Sequence, residues 1–447
     1  MVCSKHSDMN TPIFDFATAY RAQSPVRLHM PGHKGHALLG MEDRDLTEIP
    51  GADSLYEAAG VIAESEANAS ALFGCPTFYA TEGSSQCIRA MLFLAVQHAR
   101  KKGSVPKVLA ARNAHKTFLS AAALLDFDLV WLFDDAPSYL SAQPTPASVA
   151  AAIEAEHPTA LYLTSPDYLG SRIDLAPIAK VCREHGVLLL VDNAHGAYLR
   201  FLTPSAHPID CGADLCCDSA HKTLSALTGG AYLHLSPSCE DLRSEAKDAL
   251  LLFGSTSPSY LILQSLDLQN PLLETLPARI GETVSQLDAL KTRLTAAGWT
   301  LYGDEPLKLT LLPKNRGYTG TALAALLQNS GIFCEFADPD HLVCMVTPEN
   351  GADDLSRLEC ALAAVPVLPR IPAQPPIPAR PERVCSVREA MLSPRKVLPL
   401  SQCEGRVLAR CDVGCPPAVP VLMPGERIDR AALDALTYYG IDRVSVL

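Results

Sequence analysis

The chain has 447 residues, 48% of them hydrophobic and 19% charged, enough for two or three domains around one large core and too apolar for a disordered chain. Its net charge of −12 disfavours nucleic acid, whose phosphates require a basic surface, and suits a cationic small substrate. No apolar run approaches the roughly 18 residues of a membrane helix, and no signal peptide opens the chain, so the expectation is a soluble, cytoplasmic protein without membrane contact.

After an N-terminal arm (1–54) comes a large domain, 55–275, whose residues from about 55 to 235 alternate helix-like and strand-like pieces. SEANASALFG (65–74) and QCIRAMLFLAVQHARKKG (86–103) have helical spacing, the second with a basic end. KVLAA (107–111), DLVWLF (128–133), ALYLTS (160–165), GVLLLVD (186–192) and ADLCCDS (213–219) read as short strands buried on both faces. Such strands, separated by helices, predict an α/β fold with a mainly parallel sheet. PARIGETVSQLDALKTRLTAAG (277–298) reads as a long amphipathic helix, followed by strands near LKLTLLP and HLVCMVTP with a helix between them. This is a small α+β domain, 276–365. Seven prolines within 366–381 mark a semi-rigid linker (366–384), and 385–447 forms a C-terminal module. The fifteen cysteines fall largely in strand-like runs, which reads as reduced, mostly buried thiols. Metal spacing is weak: Cys211, Cys216 and Cys217 lack a second pair, and His33 and His36 lie in a Gly-rich loop.

Ligands of parallel sheets bind beyond the carboxyl ends of the strands, and the chemistry-bearing residues cluster there. Gly83, Ser84 and Ser85 open a helix, where free amides and hydroxyls suit a phosphate; N-capping by serine is the simpler alternative. His115 follows one strand. Asp192 ends a fully apolar strand, where a carboxylate requires a cationic partner, and His195 follows on its loop. Ser219, His221 and Lys222 follow a third strand. Pyridoxal phosphate accounts for all of these together: a phosphate turn, an aspartate for the pyridinium nitrogen and a lysine for the aldehyde. A Gly-rich dinucleotide fingerprint and a Walker loop are absent.

The chain resembles the Orn/Lys/Arg decarboxylase family through eight ordered motifs. They are PGHKG (31–35), DLTEIPGADSLYE (45–57), RNAHKT (112–117), TSPDYLG (164–170), DNAHGAY (192–198), SAHKTLSALT (219–228), STSPSYLILQSLD (255–267) and VPVLMPGERI (419–428). The likeness is to the compact bacterial type, without an N-terminal wing domain. It implies an aspartate-aminotransferase-like, fold type I large domain and decarboxylation of arginine, lysine or ornithine for polyamine synthesis. It further implies Lys222 as the Schiff-base lysine, Asp192 as the pyridine-nitrogen partner, His115 as the ring-stacking residue, and Gly83, Ser84, Ser85 and Ser219 around the phosphate. Thr256 corresponds to a residue donated across a homodimer interface, Glu426 to a substrate contact; helix initiation is the alternative for Glu426. His195 and His221 are assigned to substrate positioning or proton transfer. Four positions depart from the family pattern: Glu82 for asparagine, Asn193 for an acidic residue, Tyr198 for histidine, and Cys415 in GCPPAVP, which lacks the family's tyrosine and glycine. Another fold type I reaction, or a catalytically silent paralogue, are the rival readings.

Overall fold

The computed structural model describes residues 9–134, 136–376, 380–411, 413–414 and 416–447. The chain forms two compact units, Met1–Ser104 with Cys182–Ile280, and Val105–Val181 with Gly281–Leu447. Seven short strands follow in chain order: β1 (Thr77–Ala80), β2 (Lys107–Ala111), β3 (Asp128–Leu132), β4 (Ala160–Thr164), β5 (Leu188–Asp192), β6 (Leu215–Asp218) and β7 (Ala231–Leu235). Each of the five strands read from apolar runs between 107 and 219 is present, to within two residues at each end. Two strands were not read as such, β1 and β7, and β7 is the antiparallel one.

In the first unit the order is β1-β7-β6-β5. β5 and β6 are parallel, and β7 is antiparallel to both β6 and β1. β1, β5 and β6 therefore run the same way and end on one side. Helices α1 (Pro12–Ala22), α2 (Val61–Phe73) and α3 (Gly83–Lys101) belong to this unit. α3 begins three residues before the predicted start and carries His98, Arg100 and Lys101 in its last turn, where cations complement the helix dipole.

Two buried carboxyls hold this unit together and make it pH-sensitive. Glu66 is buried, and its Oε1 accepts from Lys247 Nζ at 2.5 Å and Tyr79 N at 2.8 Å. Burial pushes the Glu66 carboxyl up, and the Lys247 ammonium opposes that. Lys247→Met strands this carboxylate in apolar surroundings and is expected to cost about 3–5 kcal/mol, read from urea unfolding at pH 7.5. Asp267 accepts from Ser65 Oγ at 2.6 Å and, pinning α1, from Phe14 N at 2.9 Å. Burial raises its carboxyl to about 6 despite these donors. A carboxyl raised in the folded state binds more protons than in the unfolded chain, so stability falls as pH rises between the unfolded value and about 6. Asp267→Asn is expected to flatten this part of the melting-temperature curve, measured between pH 4 and 7.

The second unit holds β4-β2-β3, all parallel. Helix α4 (Lys116–Leu125) follows β2. The small antiparallel sheet has the order β10-β11-β9-β8, with β8 (Leu301–Tyr302), β9 (Lys308–Leu311), β10 (Phe336–Ala337) and β11 (Leu342–Met345). Its core includes Leu309, Leu311, Leu323 and Leu342. The long helix runs Gln269–Ala296 rather than from Pro277, so Pro277 lies inside it. Proline suits a first helical turn, which made it read as a start; inside the helix it forgoes one backbone bond. The C-terminal residues pair β12 (Lys396–Pro399) with β13 (Arg443–Val446) over a core of Leu408, Leu422, Ile428, Leu433 and Val444. No disulfide joins the described cysteines, most of which are buried, Cys216 and Cys217 among them.

Candidate active site

In the first unit, three strand ends open on the same side. Beyond β1 the chain turns through Gly83 (φ +70°) into α3. The N-cap is Glu82, with no side-chain cap bond, so neither serine is the cap. Ser84 and Ser85 lie in the first turn, among amides that lack helical acceptors and without an acidic neighbour in that turn. Glu82 Oε1 instead accepts from Ser255 N at 2.5 Å, which commits its charge to the 255–257 turn. Thr256 lies exposed in that turn.

Asp192, the last residue of β5, is 2% exposed, and its Oδ1 accepts from Ala194 N at 3.1 Å and the Cys217 thiol at 3.7 Å. His195 follows on the same turn. Its Nε2 lies 3.0 Å from Lys222 Nζ, on the short helix Ala220–Thr223 beyond β6. An ammonium donating to Nε2 requires the Nδ1–H tautomer of His195. Buried Ser219 donates from Oγ to Ser84 Oγ at 2.8 Å, joining the first and third strand ends. His221 Nδ1 is 3.0 Å from the Gly230 carbonyl. The chain passes close here at Gly229 (φ +100°), where an added Cβ would lie 2.8 Å from the Thr81 carbonyl oxygen. Gly229 is therefore a steric requirement.

Sequence reasoning overlooked Asp218, the end of β6. It is fully buried; Oδ1 accepts from Asn193 Nδ2 at 2.6 Å, and Oδ2 lies 3.1 Å from both His207 Nε2 and His234 Nε2. Burial raises its carboxyl, but the two imidazoles outweigh burial and hold it well below the usual carboxylate range. The available signal was an acid inside the apolar run LCCD. Asn193 is thus tied to a carboxylate, and Tyr198 is fully buried in the turn Ala197–Phe201. Cys415 lies outside the described residues.

In the second unit, His115 caps α4, its Nδ1 accepting from Thr117 N at 3.1 Å. Glu426 is 3% exposed and does not present an unengaged carboxylate. Arg112 Nη1 and Nη2 grip its two oxygens at 2.6 and 3.0 Å, and Met423 N donates to Oε2 at 2.8 Å. Arg112 also lies over Trp131 and Phe133, with 5.5 and 5.1 Å to the ring centroids. The Glu426 carboxylate is therefore already paired with a cation. Arg112 opens the RNAHKT motif, but its partner lies 314 residues away, beyond any local signal.

Comparison with known proteins places these sites in context. YaaO of Bacillus subtilis (strain 168), an uncharacterised protein, is 30% identical across 96% of this chain and 94% of its own length. An arginine decarboxylase of Halalkalibacterium halodurans is 28% identical across 95% of this chain and 92% of its own. The crystal structure of the Francisella novicida lysine decarboxylase LdcF superposes with a TM-score of 0.81 at 18% identity, covering 99% of this chain and 82% of that one. This likeness, with the mainly parallel strands and antiparallel β7, establishes the aspartate-aminotransferase-like fold. Residues 11–295 match the family described as Orn/Lys/Arg decarboxylase, major domain, and 380–442 match the C-terminal domain of the same family. The chain accordingly belongs to the Orn/Lys/Arg decarboxylase family of enzymes.

Proposed function

We propose that the chain decarboxylates a basic L-amino acid to its amine with pyridoxal 5′-phosphate as cofactor. Arginine is the first candidate, ahead of lysine and ornithine, because a relative matching nearly the full length is named an arginine decarboxylase. The observation that carries the reading is the Lys222–His195 contact beside the Ser84–Ser219 bridge. This donor set fits the cofactor: a helix N-terminus with two hydroxyls and no first-turn acid for a phosphate, a buried carboxylate for a pyridinium, and an amine for a carbonyl.

Bound there, the cofactor would supply an electron sink for the pair released when CO2 leaves. The protein's own groups do the rest. His195 Nε2, 3.0 Å from Lys222 Nζ, takes the ammonium proton and leaves a nucleophilic amine. Gly83, Ser84, Ser85 and Ser219 would hold the phosphate, and Asp192 would keep a proton on the ring nitrogen. Lys222 and His221 are the proposed proton donors to the product carbon. The ring-stacking role of His115 and the substrate contact of Glu426 rest on the family resemblance; Glu426 would take the substrate cation beside Arg112 or in its place. The exposure of Thr256 supports its donation to a second copy in a homodimer. A role in cytoplasmic polyamine synthesis is part of the same proposal; no helix among the described residues is long and apolar enough to cross a membrane.

The deciding experiment incubates the cofactor-loaded protein with arginine, lysine and ornithine and measures CO2, amine and keto acid. One amine with stoichiometric CO2 is expected. Keto acid without CO2 would indicate transamination instead, and no product from any of the three would overturn the substrate class.

A further inference from the structure

Lys222 and His195 meet at 3.0 Å although they stand on separate loops, one beyond β6 and the other beyond β5. Something must fix the two loops against each other. The parallel ladder pairs Asp192 with Cys217 and ends there. One residue further, the backbone tie Asn193 N to Cys217 O (3.0 Å) is followed by the side-chain bond Asn193 Nδ2 to Asp218 Oδ1 (2.6 Å). This is a side-chain tie at the point where both loops leave the sheet.

The tie is braced from both sides. Behind Asp218, His207 and His234 hold Oδ2, and His234 Nδ1 lies 2.9 Å from Thr77 Oγ1 on β1. Asn193, Asp218, His207 and His234 are all 0% exposed, so no water competes for these bonds. Around Asn193 the fit is equally close: a Cβ on Gly196 would lie 2.0 Å from Asn193 Oδ1, so the glycine of DNAHG makes room for this side chain. An ionised carboxylate only accepts hydrogen bonds, so residue 193 has to donate. The family's acid is missing at 193, and here the acid lies across the same bond, at 218.

We propose that Asp218, acting through Asn193, is the positioning residue that holds His195 and Lys222 at their contact distance. The proposal rests on the cofactor reading given above. It predicts a pattern that burial alone does not. Asn193→Asp sets two acceptors against each other. In Asn193→Asp/Asp218→Asn the roles are exchanged: the amide nitrogen introduced at position 218 donates to the carboxylate introduced at 193, and the amide oxygen takes both imidazole N–H groups.

The test is the affinity of the folded apoprotein for pyridoxal phosphate, read by fluorescence quenching, with borohydride trapping of the cofactor on Lys222 and a thermal melt of each variant. Asn193→Asp is expected to bind the cofactor at least about tenfold more weakly, the worth of one buried hydrogen bond. The exchanged pair is expected to return to within about threefold of wild type. Wild-type affinity in Asn193→Asp overturns the proposal, as does an exchanged pair that melts like wild type but binds as weakly as Asn193→Asp. Should Asn193→Asp fail to fold, the exchanged pair decides alone: folded and tight-binding supports the tie, folded and weak-binding overturns it. Wild-type protein that neither binds nor traps the cofactor overturns the cofactor reading itself, and the proposal with it.

Discussion

Lys222→Ala is expected to lower turnover by at least about 10³-fold, with no cofactor trapped on the protein by borohydride. Two functions are lost together: the amine that would hold the cofactor's carbonyl, and a proton donor placed 3.0 Å from His195 Nε2. The fold should tolerate the change, because the Lys222 backbone is fixed independently, its N–H donating to Ser219 O at 3.1 Å. A melting temperature close to wild type, beside absent trapping and product, separates a chemical role from a structural one. Added methylamine offers a further check, since a free amine in the vacated space should restore a measurable fraction of turnover.

Asp192→Asn should leave cofactor binding detectable but lower kcat by about 10²–10³, the usual worth of one preorganised charge in a water-excluded site. The amide preserves the shape and can still accept from Ala194 N, whose bond to Oδ1 is 3.1 Å. What disappears is a carboxylate at 2% exposure, and with it the group proposed to keep a pyridinium protonated. Because the loss falls on the reacting state, KM should change far less than kcat. Steady-state kinetics on the substrate that yields amine distinguishes this outcome from one in which KM rises and kcat holds, which would assign Asp192 to binding.

The legible parts of the fold were those written in local patterns. Apolar runs five residues long, such as LLLVD ending at Asp192, located buried strands because a strand covered on both faces has no polar alternation to confuse it. β7 escaped because a histidine interrupts AYLHL next to its end, and only the structure shows His234 tied to Asp218. The placement of Lys222, Asp192 and the Gly83 turn at strand ends was legible, because each follows or closes a short apolar run. Arg112 and Asp218 were not. Arg112 finds its partner 314 residues on, and Asp218 finds three side chains from β7 and two loops, none predictable from spacing. Glu82, which departs from the family's asparagine beside the phosphate turn, is engaged by Ser255 N, a partner 173 residues away that no local pattern announces.

The Arg112–Glu426 fork also bears on how the protein is made. Arg112 leaves the ribosome 314 residues ahead of the carboxylate that grips it. The first segment of its unit, Val105–Val181, must likewise wait for Gly281–Leu447. Until then the end of β2 carries a bare guanidinium over Trp131 and Phe133, and the apolar strands beside it lack part of their cover. A nascent chain stalled before Met423 should consequently be a client for chaperones and proteases over far more than its missing tail. A late frameshift in this gene would act as a loss of the whole enzyme.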